Sequence, residues 1–215
     1  MAVNAETGRQ QWPHPAPVDG AVRWLIGHHA VYVVRRTSTA EVLSALDLTD
    51  GRLLWEEGDF GGELIAAPLE SGRTVHLITG NGHVHARDGA TGREVWLARK
   101  PAKRVLAGPA VVAGQLYVGA ADPHRLFVFN ARTGEELAPG RGDGAFVSVP
   151  FVVGDTVWAM LRTNRLMGWD VRTRARRKPM DLASPEGLDR AMLVEDGILY
   201  VTTPRGLVRA VDLRR

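Results

Sequence analysis

The 215-residue chain contains no cysteine, which excludes disulfide staples, thiolate metal sites and a cysteine nucleophile. Lysine is almost as scarce, since Lys100, Lys103 and Lys178 are the only three among 27 basic residues. Arginine, which makes up the rest, keeps its proton to about pH 12. The sequence pI is therefore near 9.7 although the net charge is only +3. No apolar stretch approaches the roughly 18 residues a membrane helix needs, so no transmembrane segment is expected. The first twenty residues, MAVNAETGRQQWPHPAPVDG, lack the apolar core of about 7–15 residues that an export signal carries. Nothing in the sequence is thus expected to direct secretion. Most arginines alternate with acids rather than forming a basic stripe, so nucleic acid is not an expected partner.

Turn-forming residues are plentiful, with 24 glycines and 12 prolines. With 45% apolar and 24% charged residues the composition is that of an ordinary globular chain.

Self-similarity is the dominant signal. AVNAETGRQQW (2–12), ALDLTDGRLLW (45–55) and HARDGATGREVW (85–96) are versions of one phrase. Degenerate copies follow in VFNARTGEEL (128–137), where Ala138 takes the tryptophan position, in MGWDVRTRARR (167–177), and in AVDLRR (210–215). The anchoring residues Asn4, Asp47, Asp88, Asn130, Asp170 and Asp212 are spaced 43, 41, 42, 40 and 42 residues apart. Upstream, Trp24, Pro68, Pro109, Pro150 and Met192 each stand eight residues before Tyr32, His76, Tyr117, Trp158 and Tyr200.

Each unit then reads as four short strands. A first apolar strand (Ile65–Leu69, Ala107–Val112, Val147–Val153) runs to a glycine turn, and a second (Thr74–Ile78, Gln115–Gly119, Thr156–Met160) carries the aromatic column. A third has alternating apolar residues, and a fourth, after D-x-x-T-G, ends at tryptophan. In that last turn the acid or amide side chain accepts backbone N–H groups and glycine supplies a positive φ. Ser184–Leu188 is the only stretch resembling a helical turn.

Four-stranded units of this length predict an all-β fold of propeller blades. The phrase A-x-D-x-x-T-G-x-x-x-W resembles the PQQ-like (quinoprotein-type) β-propeller repeat, and the resemblance covers the whole chain. It implies a single domain over 1–215 with five blades, roughly 13–55, 60–96, 103–138, 145–178, and 188–215 completed by 8–12. Closure by Gly8–Trp12 as the missing fourth strand, paired with Leu207–Asp212, would remove both free edges. The alternative is a piece of a longer array, because the family usually builds seven or eight blades and AVN at the start duplicates Ala210-Val211-Asp212. A closed ring is expected to be a monomer and an open one to dimerise.

The resemblance spans quinoprotein dehydrogenases, outer-membrane assembly lipoproteins of the BamB type and sensor domains of bacterial kinases. Its enzymes use a neighbouring cysteine pair, a calcium held by Glu, Asn and Asp, and an aspartate base. The chain matches none of these, so no cofactor is assigned and no catalytic residue is named. His76, His83 and His85 are the candidate metal ligands, if the Gly80–Gly82 hairpin brings 76 opposite 85; the competing reading makes His76 a packing residue in the aromatic column. Arg172, Arg174, Arg176, Arg177 and Lys178 form a candidate partner surface, against which stands a solvated edge whose charges discourage strand pairing. Trp12, Trp55 and Trp96 are expected to dock adjacent blades. The expected function is non-enzymatic binding of a protein partner or small ligand. The alternatives are a sensor domain severed from a kinase or membrane-anchored protein, and a degenerate quinoprotein enzyme. Members of the family are often extracytoplasmic.

Overall fold

A computed structural model describes residues 2–13, 18–99, 104–105, 107–182, 188 and 192–214. The chain divides into two compact units, one comprising Met1–Pro101 with Arg132–Gly134 and the other Ala102–Ala131 with Glu135–Arg215. Among the described residues there is no helix, and the strands form five small antiparallel sheets, each a meander in chain order.

The first unit holds two sheets of four strands. One contains β1 (Ala21–Ile26), β2 (Val31–Arg36), β3 (Glu41–Leu46) and β4 (Leu53–Gly58). The other contains β5 (Leu69–Ser71), β6 (Thr74–Ile78), β7 (His83–Asp88) and β8 (Glu94–Arg99). Tyr32, Val34, Leu43, Phe60, Leu64, Val75 and Leu77 form the core between them. Burying each such side chain contributes about 1.5–3 kcal/mol, and this layer dominates the stability of the unit.

The second unit holds three sheets. The first has β9 (Arg104–Val105), β10 (Ala110–Val112), β11 (Gln115–Asp122), β12 (His124–Asn130) and β13 (Glu136–Arg141); β9 pairs with β11 off the meander. The next has β14 (Phe151–Val153), β15 (Thr156–Met160), β16 (Arg165–Asp170) and β17 (Met180–Asp181). The last has β18 (Met192–Glu195), β19 (Ile198–Thr202) and β20 (Val208–Asp212). Every residue of β15 is buried, because layers on both sides cover it. A central strand of this kind reads as continuous apolar sequence, as TVWAM does.

First strands are shorter than the sequence suggests, beginning at Leu69, Ala110 and Phe151 rather than at 65, 107 and 147. The cause is the proline directly before each start, Pro68, Pro109 and Pro150, which has no N–H to give to the ladder. Where that column holds Trp24 instead, β1 runs through it for six residues. Fourth strands are longer than expected, since β4 and β8 continue past Trp55 and Trp96 to Gly58 and Arg99.

Among the described residues the expected pairing of Gly8–Trp12 with Leu207–Asp212 is not seen. The last sheet has three strands and ends at β20, while Gln10 bridges to Val3. The N-terminal segment does engage its own unit, where Trp12 packs with Val33 and Leu46. Ser184–Gly187 lies outside the described residues, and with it the expected helical turn.

Candidate functional site

The last turns at Asn4, Asp88 and Asp170 carry the side-chain hydrogen bonds that their sequence predicts. Asp88 Oδ1 accepts the N–H groups of Ala90 (3.1 Å) and Thr91 (3.0 Å) and the Thr91 hydroxyl (2.9 Å). Asn4 does the same for Glu6 and Thr7, and Asp170 for Arg172 and Thr173. Burial alone would raise the Asp88 pKa, but the Thr91 bonds outweigh it and hold the carboxyl below its usual range. Four residues after the anchor, Gly51, Gly92 and Gly134 take φ of 77°, 73° and 72°, the left-handed region that favours glycine.

These turns are seats for indoles. The Trp12 ring lies on Gly51, Trp55 on Gly92 and Trp96 on Gly134, so closely that a Cβ at the glycine would stand 2.5, 2.8 and 2.6 Å from the ring. The Trp12 N–H donates to the Leu48 carbonyl at 3.1 Å and the Trp55 N–H to Gly89 at 3.0 Å. In both cases the acceptor is the residue after the anchor. Each of these three indoles thus lies on the turn glycine of the following repeat.

Two repeats depart from this pattern. Ala138 and Lys178 occupy the tryptophan position, eight residues after Asn130 and Asp170. The turn of the Asp170 repeat carries Arg174 where glycine stands elsewhere, and Arg174 keeps the left-handed φ of 60°.

Beside Lys178 opens a concavity of about 740 Å³, walled by Val153, Trp158, Met180, Leu213 and Arg214 with Arg177 and Lys178 at its rim. Leu213 follows the anchor Asp212, so this space adjoins the position that receives an indole in the other repeats. Its wall is incomplete in hydrogen bonding. Trp158 is 5% exposed and its Nε1 is buried without an acceptor, a state that costs about 1–3 kcal/mol.

Two of the five basic residues of the candidate partner surface are neutralised. Arg176 pairs with Asp143, and Arg177 with Asp155 (3.2 Å) and Asp170 (3.0 Å). The Arg176 guanidinium holds the Asp143 carboxyl below its usual range. Among the described residues Arg172, Arg174 and Lys178 have no ionic partner.

The three histidines do not converge. The register of β6 on β7 sets His76 opposite Ala86, and Leu77 opposite His85. His76 therefore projects from the face opposite to that of His83 and His85, since one residue of register moves a side chain across the sheet. It packs its ring against Trp96, with centroids 5.7 Å apart. His85 Nε2 lies 2.9 Å from the Phe60 carbonyl, and burial pushes its pKa down.

Two buried carboxylates escaped sequence reasoning. Glu41, 8% exposed, accepts from the Leu64 N–H (2.8 Å) and Arg36 (3.0 Å), with Arg23 at 3.5 Å. Glu70 accepts from the His28 backbone and ring and from the Tyr32 hydroxyl (3.1 Å). Burial opposes the Glu70 charge, yet these donors prevail and hold its carboxyl below its usual range. Burial, followed by the Glu70 charge, drives the Tyr32 hydroxyl well above its own. The signal for such residues is a lone acid at an element otherwise apolar.

A quinone and calcium site finds no match in these residues. There is no cysteine, and among the described residues no three His, Asp or Glu side chains gather where a cation would sit.

A protein-family model described as outer membrane protein assembly factor BamB matches residues 1–215. The BamB of Pseudomonas aeruginosa is 25% identical over 166 residues, which are 77% of this chain and 41% of that protein. The crystal structure of BamB from Moraxella catarrhalis superposes with a TM-score of 0.67 at 24% identity, covering 86% of this chain and 58% of that one. A europium-containing methanol dehydrogenase reaches 0.68 at 14% identity, over 88% and 50%. At these identities the two structures establish likeness of fold. The chain spans about two fifths of the curated relative's length.

Proposed function

The chain belongs to the family of the outer membrane protein assembly factor BamB, and from this premise we propose that it is a non-enzymatic platform that binds a protein of outer-membrane assembly. The role named for its relatives, assembly of the outer membrane, suggests that class of partner and an extracytoplasmic setting.

The observation that carries the reading is the outward face of β1. Val22, Trp24 and Ile26 alternate along this strand and are 43%, 65% and 64% exposed, whereas Leu25 between them turns into the core. β1 pairs only with β2 among the described residues. An exposed tryptophan flanked by aliphatic side chains on an edge strand suits protein contact, because such residues supply most of the energy of interfaces.

The test is co-elution of the purified chain with detergent-solubilised assembly proteins of the outer membrane. Trp24→Glu with Ile26→Glu should abolish co-elution while the melting temperature holds; retained co-elution would refute the assignment. Addition of quinone and calcium provides the opposing arm, since a ligand bound only by the folded state must raise the melting temperature. A rise there would favour the enzyme reading instead.

A further inference from the structure

We propose that the loop Asp59–Gly62 is an acid-released flap, latched in neutral solution by the His85 imidazole and freed when that ring takes up a proton. The loop forms one wall of a cleft of about 600 Å³, and the turn between β2 and β3, residues 37–40, forms the other. Release of the loop therefore opens the cleft.

The latch is a hydrogen bond backed by ring contacts. His85 Nε2 lies 2.9 Å from the Phe60 carbonyl. A carbonyl only accepts, so this nitrogen carries the hydrogen and Nδ1 is left as a bare lone pair. Nδ1 is buried with no hydrogen-bond partner, in a residue 4% exposed. The Phe60 ring meets the imidazole edge-on with centroids 5.3 Å apart, and the Arg87 guanidinium lies 5.8 Å from the centre of the Phe60 ring.

A proton on Nδ1 spoils this arrangement. It creates a donor where no acceptor stands, and a buried charge without a partner is costly. His83 and Arg87, on the same strand, repel that charge, and Glu94 of β8 attracts it. Glu94 is however shared with Arg87 at 3.9 Å, as is Glu57 of β4 at 3.7 Å. β6 sets the neutral Leu77 opposite the ring. Of the acids at the cleft, Glu41 and Glu63 are paired with Arg36 and only Asp59 has no ionic partner among the described residues.

The loop is the side that gives. β7 is bonded along both edges, to β6 and to β8, whereas Asp59–Gly62 lies outside the strands. Asp59 holds a left-handed φ of 55°, a strain that departure relieves. Two glycines follow it, and the Asn81 amide, donating to the Gly61 carbonyl at 2.9 Å, is a tie that protonation leaves in place.

The chain has five phenylalanines, so the full protein labelled with 4-fluorophenylalanine gives five fluorine resonances, and Phe60→Leu identifies one. Between pH 7.5 and pH 5 the Phe60 signal alone should move. In His85→Gln, whose amide can donate to the Phe60 carbonyl without taking up a proton, the movement should vanish; in His83→Gln it should persist. Hydrogen exchange on the unsubstituted chain separates displacement from a mere change of charge. After correction for intrinsic rates, amides 60–62 should lose at least about tenfold more protection at pH 5 than those of β7. A static Phe60 signal, a movement that survives His85→Gln or is lost in His83→Gln, or equal loss of protection in loop and strand each overturns the proposal. Five signals moving together would overturn it as well, since the event would then be unfolding of the unit.

Discussion

The indole N–H of Trp55 donates to the carbonyl oxygen of Gly89 at 3.0 Å, joining β4 of one sheet to the last turn of the next. Ring and backbone meet with no room for a methyl group at Gly92, where a Cβ would stand 2.8 Å from the ring.

Both sides of that joint should therefore be sensitive. Trp55 is half-buried, so Trp55→Ala is expected to cost about 3 kcal/mol, the lower end of the range for aromatic truncation. Gly92→Ala should cost a comparable amount through the clash and the positive φ. Trp24→Ala, at a residue 65% exposed, should change stability by less than about 0.5 kcal/mol. Urea midpoints would rank the three, and equal losses at Trp24 and Trp55 would contradict the docking geometry.

Arg174 gives a prediction of opposite sign. A left-handed φ costs a non-glycine residue about 1–2 kcal/mol, and glycine loses about 0.4–1 kcal/mol through a freer unfolded chain. Relief exceeds penalty, so Arg174→Gly should stabilise by up to about 1 kcal/mol. A fall in the denaturation midpoint would show that the arginine side chain contributes more than its backbone takes away.

Glu41 should behave as a structural carboxylate. Its replacement by Leu orphans the Leu64 N–H and takes the Glu41 acceptor from Arg23 and from Arg36, which keeps Glu63. Arg36 is 55% exposed and water compensates it, so the loss should be about 1–3 kcal/mol, set by the buried amide. Glu41→Gln keeps an acceptor for that amide and is expected to lose less than Glu41→Leu by chemical denaturation.

His85 predicts a pH dependence. Burial is the chief cause of its lowered pKa, Arg87 and His83 push the same way, and the Phe60 carbonyl and Glu94 oppose. The unfolded chain then binds the proton more readily than the folded one. Its contribution is present above pH 6.5 and is lost as pH falls through the folded value. Stability measured at pH 7.5 and at pH 5 should differ less in His85→Gln than in the parent; identical slopes would remove His85 as the cause.

The repeat and its anchors were legible because one phrase recurs with a turn chemistry that only a few residues can perform. The histidines show where such reading stops. The turn from Thr79 to His83 closes with both Thr79 N–H on the His83 carbonyl and Gly82 N–H on the Thr79 carbonyl, and this loop length sets Ile78 opposite Val84. A loop one residue different would have put His76 with His85, and the sequence of the turn does not distinguish the two. Lys178 at the tryptophan position was likewise visible by counting, but the open volume beside it depends on Trp158 and Leu213, which belong to neighbouring strands.

The pairing of tryptophan with glycine across consecutive repeats also orders the substitutions by which such joints arise and decay. Glycine without its indole costs only about 0.5–1 kcal/mol of backbone freedom, whereas an indole arriving at any larger residue meets a Cβ 2.5–2.8 Å away. Evolution must therefore install the glycine first and the tryptophan second. In this chain the two positions also depart together, with Ala138 at the tryptophan position of one repeat and Arg174 at the glycine position of the next. Epistasis of this kind makes each joint a two-site character, to be transplanted between repeats only as a pair.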